Sequence, residues 1–192
     1  MPQVSLFEMS QLLIVAPTLI SFPTDTVPAL AARPQDAQLI YAAKQRPPEK
    51  PLILMGASFH DLSPYIQGNA AERGEWKKVC DRYWPGQLTL VLPTSSLTPP
   101  NLNPLHTGSI GIRVPNHPVA LQLLAQTGPL ATTSANLSGQ PPLTTATDIA
   151  RTFPTALTLP ADLYSRASGQ PSTVAKWTGE GWQILRQGKI HL

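Results

Sequence analysis

The sequence has a single cysteine, Cys80. One thiol allows neither an internal disulfide nor a zinc site built from several cysteines. Cys80 lies in a stretch with helical periodicity, so we interpret it as a small apolar residue that packs into the core. Disulfide-stapled scaffolds and cysteine-based zinc modules are therefore excluded.

Charge is also scarce. Asp, Glu, Lys and Arg make up 13% of the residues, about half of the roughly 25% found in an average protein. The formal charge of +3 permits phosphate binding but does not by itself indicate a nucleic-acid partner. No secretory leader is recognisable, and no apolar run approaches the roughly 20 residues of a membrane-spanning helix. We predict a soluble cytoplasmic protein.

The common catalytic signatures are missing as well. There is no P-loop, and no GxGxxG follows a predicted strand. The four histidines are dispersed along the chain, at His60, His106, His117 and His191. No two carboxylates form a recognisable acid–base pair. If the chain is an enzyme, we expect it to work by positioning and charge stabilisation rather than by a strong side-chain base.

Proline, by contrast, is abundant. The 22 prolines exceed twice the usual ~5% and predict short elements separated by rigid turns. Strands are predicted at 19–22, 51–55, 88–92, 110–114 and 130–133, near Leu157, and in a terminal hairpin of 172–177 and 182–186. Helices are predicted at 11–16 (capped by Ser10), 35–44, 61–66, 69–83, from 118, and at 147–153, and 93–108 is interpreted as an irregular flap. Interleaved strands and helices predict an α/β or α+β sheet, and the lack of a linker predicts one domain over 1–192.

Three polar loops follow predicted strands. They are Pro23-Thr24-Asp25-Thr26, the segment RVPNH beginning at Arg113, and TTSANLSG ending at Gly139. Such loops gather at strand ends, where sheet proteins bind ligands. Hydroxyl and amide groups suit a small zwitterion or a nucleotide. Alternatively, TTSANLSG is an ordinary turn, since Ser, Asn and Gly are turn residues.

Four cations accompany these loops: Lys44, Arg46, Lys50 and Arg113. They could supply the positive charge that a polyphosphate requires, and arginine can hold it through two hydrogen bonds. The alternative for Lys44 and Arg46 is that they only complement the dipole at a helix C-terminus. The pattern alone leaves both interpretations open.

Ordered blocks along the chain resemble the YrdC-type threonylcarbamoyl-AMP synthase family in its short form. The blocks are PTDTVPAL, KQRPPEKPLIL, WPGQLTLVL, GIRVPNHP, TTSANLSG, PSTV and LRQG. They extend from about Leu19 to Gly188, essentially the whole chain. Each block is weakly specific alone, but their joint order is highly specific.

The resemblance implies a twisted mixed β-sheet flanked by helices, with a concave ligand cavity. It also implies a nucleotidyltransferase that converts L-threonine, bicarbonate or CO2, and ATP into threonylcarbamoyl-AMP and pyrophosphate with the help of Mg2+. Other proteins would transfer the threonylcarbamoyl group to tRNA. No protein side chain is assigned as a direct metal ligand.

The resemblance further implies roles for individual residues. The catalytic cations would be Lys44, Arg46 and Arg113. Threonine would be held by Thr24, Thr26, Thr89 and Arg113, with Thr89 and Arg113 at the junction with the α-phosphate. The nucleotide would be held by Arg46, Lys50, Ser134, Asn136 and Arg186.

The chain departs from the family pattern at three places. Pro28-Ala29 stands where Tyr-Gly is usual, beside the implied threonine site, so an aromatic ring and a flexible backbone position are lost. Gln87 replaces a proline and Thr132 replaces a serine, and both of these changes look mild. We expect the Pro28-Ala29 change to bear on how threonine is held.

Two other functions are weighed against the synthase. A non-catalytic module of the same fold could bind nucleotides, tRNA or double-stranded RNA through a concave basic face, although the low Lys and Arg content argues against strong RNA binding. The carbamoyl-transfer module of hydrogenase-maturation proteins is disfavoured because one cysteine cannot supply the zinc fingers of that role.

Overall fold

The computed structural model describes residues 3–164 and 167–192. Its strands are β1 (Ile20–Phe22), β2 (Ala29–Ala32), β3 (Ile53–Met55), β4 (Leu88–Pro93), β5 (Ser109–Arg113), β6 (Leu130–Ser134), β7 (Leu157–Thr158), β8 (Thr173–Trp177) and β9 (Trp182–Arg186). Its α-helices are α1 (Leu6–Val15), α2 (Gln38–Lys44), α3 (Phe59–Leu62), α4 (Ala70–Tyr83), α5 (Pro118–Thr127) and α6 (Ala146–Thr152). Short 3-10 segments occupy Pro34–Asp36, Ser63–Tyr65, Pro100–Leu102 and Ala161–Tyr164.

The strands form one sheet in the order β7-β1-β2-β6-β3-β5-β4-β8-β9. Neighbours are antiparallel at β1–β2 and β2–β6 but parallel at β3–β5 and β4–β8. The prediction of a mixed α/β sheet is therefore confirmed. Among the described residues, no α-helix is both long enough and apolar enough to cross a membrane.

The first helix begins earlier than predicted. Its N-cap is Ser5, not Ser10, and Ser5 and Glu8 form a capping box in which each side chain bonds the other residue's backbone N–H. Ser10 lies inside α1, is buried, and donates its hydroxyl to Phe7 O at 2.8 Å. The S-x-x-E pattern that signals this start is present in the sequence and was overlooked.

Strand β2 was not predicted at all. Its sequence is Ala29-Leu30-Ala31-Ala32, and all four residues are buried. Alanine has a low strand propensity, and a strand buried on both faces has no polar alternation to reveal it. The strand pairs with β1 and β6, placing Ala29 opposite both Phe22 and Ser134. This register brings the loop after β1 close to the end of β6.

The stripe of α4 packs into the core as predicted. Trp76 and Cys80 are buried, and Val79, Tyr83 and Trp84 pack partly buried against them. Burial raises the pKa of the Cys80 thiol to about 12, which fits a structural residue rather than a reactive one. The stripe of α4 thus contributes to the hydrophobic core.

The middle of the connection formed by residues 93–108 is held in place by burial and hydrogen bonds. Leu102 is completely buried, and its carbonyl accepts a hydrogen bond from Leu52 N at 2.9 Å. Asn103 Nδ2 donates to Ser109 O at 3.0 Å. The segment therefore lies against the approach to β3, next to the chain that leaves α2.

Candidate active site

A cavity of about 170 Å3 lies where the predicted polar loops meet. We call it the inner cavity. Among the residues that the structure describes, three arginines contribute to its wall together with hydroxyl, apolar and proline side chains, while no Asp or Glu does. The lining residues are Thr26, Val27, Ala29, Arg46, Ile53, Met55, Arg113, Thr132, Thr133, Ser134, Pro171, Ser172 and Arg186. An electropositive cavity without carboxylates suits anionic groups.

Arg113, the last residue of β5, organises one end of the inner cavity. Its Nη2 donates to Asp25 Oδ1 at 2.7 Å, and its Nη1 donates to Thr26 Oγ1 at 2.9 Å. Its Nε donates to Gly86 O at 3.0 Å. Burial lowers the pKa of Arg113, and the charge of Asp25 opposes that shift. Nη1 and Nη2 are thereby fixed against the loop that precedes β2, and Nε is fixed against the turn between α4 and β4.

Gly86 is required for this arrangement by close packing. A Cβ at this position would lie 2.3 Å from Tyr83 O, so only glycine can bring its backbone here without a shift. Gly86 N donates to Val114 O at 2.9 Å while its carbonyl accepts from Arg113. The WPG block thus supports the guanidinium through backbone atoms.

The two threonines of the PTDT loop have different positions. Thr26 lines the inner cavity. Thr24 is buried behind it. The Thr24 hydroxyl makes its hydrogen bonds within the loop, donating to Val27 O at 2.7 Å and accepting from Thr26 N at 3.1 Å. Thr24 therefore shapes the loop, whereas Thr26 faces the space that a ligand can enter.

Lys44 ends α2 and points into the loop after β6. It is 1% exposed, and its Nζ donates to Ser134 O and, at 3.2 Å, to Asn136 Oδ1. Its own carbonyl accepts from Ser138 N at 3.3 Å. Burial, together with the charge of Arg46, lowers the pKa of Lys44 to about 7. This is not a solvated cation that serves only the helix dipole.

Asn136 joins Lys44 to the cavity wall. Its Oδ1 also accepts from Ser134 Oγ at 2.5 Å, and its Nδ2 donates to Leu137 O and Gln140 O. Ser134 lines the inner cavity, whereas Lys44 and Asn136 lie behind it. The TTSANLSG segment is therefore a cross-linked loop at the cavity rather than an isolated turn.

The side chains of Arg46 and Lys50 have different surroundings in the structure. Arg46 lines the inner cavity, and its Nε and Nη2 donate to Lys50 O at 2.8 Å and Pro51 O at 2.9 Å. The Lys50 side chain is exposed, does not line the cavity, and makes no ion pair within residues 3–164 and 167–192. Its contact with phosphates stays a prediction.

Ser172 is a cavity residue that the sequence interpretation did not assign, although the PSTV block contains it. Its carbonyl and hydroxyl accept from Arg186 Nε at 3.0 Å and Nη2 at 3.2 Å. Its hydroxyl also meets Thr89 Oγ1 at 2.9 Å. Thr89 itself is buried and borders a neighbouring cavity of about 270 Å3 instead of the inner one. Ser172 thus connects Thr89 and Arg186.

The departures from the family pattern all lie at this site. Ala29 and Thr132 line the inner cavity, and Thr132 Oγ1 donates to Ile53 O at 3.0 Å. Gln87 Nε2 donates to Asp25 O at 2.9 Å, a link from β4 to the PTDT loop that the usual proline could not make. Pro28 O accepts from Ala135 N at 2.9 Å.

In the part of the chain that the structure describes, a mixed α/β sheet gathers three arginines and several hydroxyls around a cavity that no carboxylate lines, an arrangement typical of proteins that bind anions. The family model Sua5/YciO/YrdC, described as "Telomere recombination", matches residues 13–188. The chain belongs to this family, and the resemblance found in the sequence blocks is confirmed.

Named relatives share much of the chain. A threonylcarbamoyl-AMP synthase of Bacillus subtilis (strain 168) is 36% identical over 90% of this chain and 50% of its own length. A threonylcarbamoyl-AMP synthase of Serratia proteamaculans (strain 568) is 39% identical over 73% of this chain and 76% of its own. The crystal structure of P. abyssi Sua5 complexed with L-threonine has a TM-score of 0.82 at 29% identity, covering 97% of this chain and 56% of that one. The chain therefore spans about half the length of two of these proteins.

Proposed function

We propose that this chain is a threonylcarbamoyl-AMP synthase, a nucleotidyltransferase that joins L-threonine, bicarbonate or CO2, and ATP and releases pyrophosphate. Membership of the family and the names of the relatives support this proposal. We further propose that residues 1–192 act as one domain and work in the cytoplasm.

The observation that carries the proposal is the convergence of Arg46, Arg113 and Arg186 on one small cavity. In the proposed reaction the threonine amine adds to CO2 and loses a proton, giving a carbamate. A carbamate oxygen then attacks the α-phosphorus of ATP, and the bond to the β-phosphate oxygen breaks to release pyrophosphate. Both partners are anions. Fixed cations lower the cost of bringing them together and require no strong side-chain base.

We assign the threonine to the Arg113 end. Arg113 is held by Asp25, Thr26 and Gly86, so its guanidinium is oriented before a ligand arrives. The cavity volume of about 170 Å3 is below the roughly 300–1,000 Å3 of sites that enclose drug-sized ligands. It suits the amino acid and the reacting groups, while the nucleoside would extend beyond its mouth.

We assign the phosphates to the Arg46, Arg186 and Ser134 side. Lys44 and Asn136 hold Ser134 from behind through hydrogen bonds, so we propose that Lys44 positions this wall and adds positive potential from below it. Lys50 is exposed and does not line the cavity, so we propose that it meets the outer phosphates only if the chain after α2 moves inward.

Mg2+ would enter with ATP. Across residues 3–164 and 167–192, no group of three or more His, Cys, Asp and Glu side chains is placed to hold a metal ion. Mg2+ binds nucleotides largely through phosphate oxygens and water. We therefore treat Mg·ATP as the substrate and assign no protein side chain to the metal.

The RNA-binding alternative is supported less well. Binding to an RNA backbone requires exposed cations that can replace counterions. Lys44 and Arg113 are 1% and 3% exposed, and both point inward. We propose that the product, rather than this cationic surface, links the chain to tRNA, through other proteins that transfer the threonylcarbamoyl group.

The decisive experiment is incubation with ATP, L-threonine, bicarbonate and Mg2+ while pyrophosphate release is followed. We expect release that depends on threonine and on bicarbonate. Arg46→Ala should lower this activity at least tenfold, since a lost charged hydrogen bond is worth about 1.5–3 kcal/mol. Release that is absent, or indifferent to threonine, would defeat the synthase proposal.

A further inference from the structure

A second cavity, of about 710 Å3, lies on the outer side of Arg46. We call it the outer cavity. It is bounded by the 3-10 segment before α2, by α2 itself and by the connection of residues 93–108. Its wall has three prolines and six polar or aromatic residues: Gln35, Gln38, Tyr41, Arg46, Asn101 and His106.

The wall of the outer cavity is held in place by hydrogen bonds between its two sides. Asn101 Nδ2 donates to Gln35 O at 3.2 Å, and Tyr41 Oη donates to Leu102 O at 3.3 Å. Leu102 is completely buried and accepts from Leu52 N. Prolines at positions 48, 100 and 104 further limit backbone freedom. The cavity is therefore preformed, which lowers the entropic cost of ligand binding.

The chemistry of this wall selects one class of ligand. Among the residues that the structure describes, no Asp or Glu lines the wall, so its one formal charge is the positive charge of Arg46. The amides of Gln35, Gln38 and Asn101 can both donate and accept hydrogen bonds, as the edge of a nucleobase requires. Tyr41 and His106 offer aromatic rings of the kind on which bases stack. Arg46 is the one guanidinium that the described residues place in this wall, and it suits an anionic group such as a phosphate.

Arg46 belongs to both cavities. Its Nε and Nη2 donate to Lys50 O and Pro51 O, whereas its Nη1 has no hydrogen-bond partner in the part of the chain that the structure describes. The guanidinium is thus fixed on one side and has a donor left for a ligand. A phosphate in the outer cavity and one in the inner cavity would meet the same cation.

We propose that the outer cavity binds a nucleoside monophosphate unit, either free or at an unpaired position of an RNA strand. The base lies among the amides and beside Tyr41, and the phosphate reaches Arg46. Occupancy of one cavity alters the affinity of the other through Arg46, and this coupling must be reciprocal. The site stands on its own geometry, while the coupling to ATP rests on the proposed function.

The test measures AMP binding by equilibrium dialysis, with and without saturating methylenediphosphonate, a pyrophosphate analogue without a base, to occupy the inner cavity. We expect an AMP site that persists in the presence of the analogue. Gln38→Ala and His106→Ala should each weaken that site about fivefold to tenfold, as expected for a lost hydrogen bond or stacking contact. The matched controls Gln122→Ala and His60→Ala change exposed residues of other helices and should leave the site intact.

Competition by a short unpaired oligonucleotide identifies the source of the ligand. If it displaces AMP from the analogue-resistant site, the natural ligand is an RNA nucleotide, and if it does not, the ligand is a free nucleotide. Complete displacement of AMP by the pyrophosphate analogue would overturn the proposal. Threonine-dependent pyrophosphate release should remain normal in both variants, so failure of the synthase assay is distinguishable from failure of this site.

Discussion

Arg113 and Asp25 beside the inner cavity pair at 2.7 Å with side chains only 4% and 11% exposed, whereas Lys77 and Asp81 on α4 pair at 2.6 Å with both side chains 62% exposed. The distances are nearly the same but the surroundings differ. Water screens the pair on α4, so it contributes little to stability. The cavity pair is largely shielded from solvent, so each partner depends on the other.

The comparison also explains where affinity for anions can reside. A buried guanidinium held by Asp25, Thr26 and Gly86 keeps its orientation without a ligand. Electrostatic interactions inside a cavity with little water are stronger than those at the surface. The lysines of α4 carry charge on exposed side chains that few contacts orient. The cavity arginines carry charge on guanidinium groups that hydrogen bonds hold in a fixed orientation.

The largest expected effect comes from Arg113→Met. The substitution removes the guanidinium and leaves the Asp25 carboxylate buried without its partner, at a cost of about 3–5 kcal/mol in unfolding free energy. Urea unfolding measures the loss, and threonine-dependent pyrophosphate release should fall below detection.

A second variant keeps this prediction testable if the first does not fold. Adding Asp25→Asn removes the uncompensated charge and should restore part of the stability but none of the activity. If Arg113→Met lowered the unfolding free energy by less than about 1 kcal/mol, the Arg113–Asp25 pair would contribute no more than a surface ion pair. Burial would then not distinguish it from the Lys77–Asp81 pair.

The second effect is the pH dependence that Lys44 confers. Folding lowers its pKa from 10.5 to about 7, so between these values the unfolded chain binds more protons than the folded one. The stability from this group is therefore present above pH 10.5 and is lost as the pH falls towards 7. Unfolding free energy should rise with pH by up to about 1.4 kcal/mol per unit, the limit for one proton.

The measurement compares wild type with Lys44→Met by urea unfolding at several pH values from about 7 to about 8.5, inside the window that the lowered pKa defines. This window avoids the alkaline region in which Cys80, with its pKa raised to about 12, adds a slope of opposite sign. Lys78→Met changes an exposed lysine of α4 and should keep the wild-type slope. Equal slopes in wild type and Lys44→Met would mean that Lys44 keeps an ordinary pKa when folded.

The sequence indicated which residues gather at the cavity, but it did not indicate how deeply each of them lies. The blocks correctly indicated which loops come together, because motif residues such as Thr26, Arg46 and Ser134 line one cavity. The pattern could not indicate that Lys44 points behind Ser134, since a lysine at a helix end can turn to solvent or inward. Ser172 was not predicted as a cavity residue, because nothing in the local sequence distinguishes a serine that lines a cavity from any other serine beside a strand.

The fold was predicted to a similar extent. Amphipathic and apolar runs marked most strands and helices, including α4 with its buried Trp76. Strand β2 was missed because four buried residues, three of them alanine, have neither strand propensity nor alternation. Its position depends on pairing with β1 and β6, which is a long-range property that local sequence does not contain.

A smaller effect is expected from replacing Pro28-Ala29 with Tyr-Gly. Ala29 lines the inner cavity, so removing its methyl group widens the space beside Thr26, while the introduced tyrosine adds an aromatic surface. We expect the KM for threonine to fall about fivefold, equivalent to about 1 kcal/mol. Stability should fall by about 0.5–1 kcal/mol, because glycine is disfavoured inside a strand.

Ala32→Gly is the matched control for this replacement. Ala32 is buried in the same strand but does not line the cavity. It should show the loss of stability without the change in KM. An unchanged KM in the Tyr-Gly variant would show that Pro28-Ala29 does not limit threonine binding.

The smallest effect is expected on α4, where the Lys77–Asp81 pair completes the comparison with the cavity. A double-mutant cycle with Lys77→Ala and Asp81→Ala should give a coupling energy of about 0.3–0.5 kcal/mol, as for other exposed pairs one helical turn apart. Raising the salt to about 1 M should remove most of it, because the screening length falls to about 3 Å. The Arg113–Asp25 coupling, measured in the same way, should persist because salt does not reach it. A coupling energy above about 1 kcal/mol for the α4 pair, or one that resists salt, would contradict this prediction. Solvent exposure would then not explain why the two ion pairs differ in strength. Orientation by neighbouring hydrogen bonds would have to explain that difference alone.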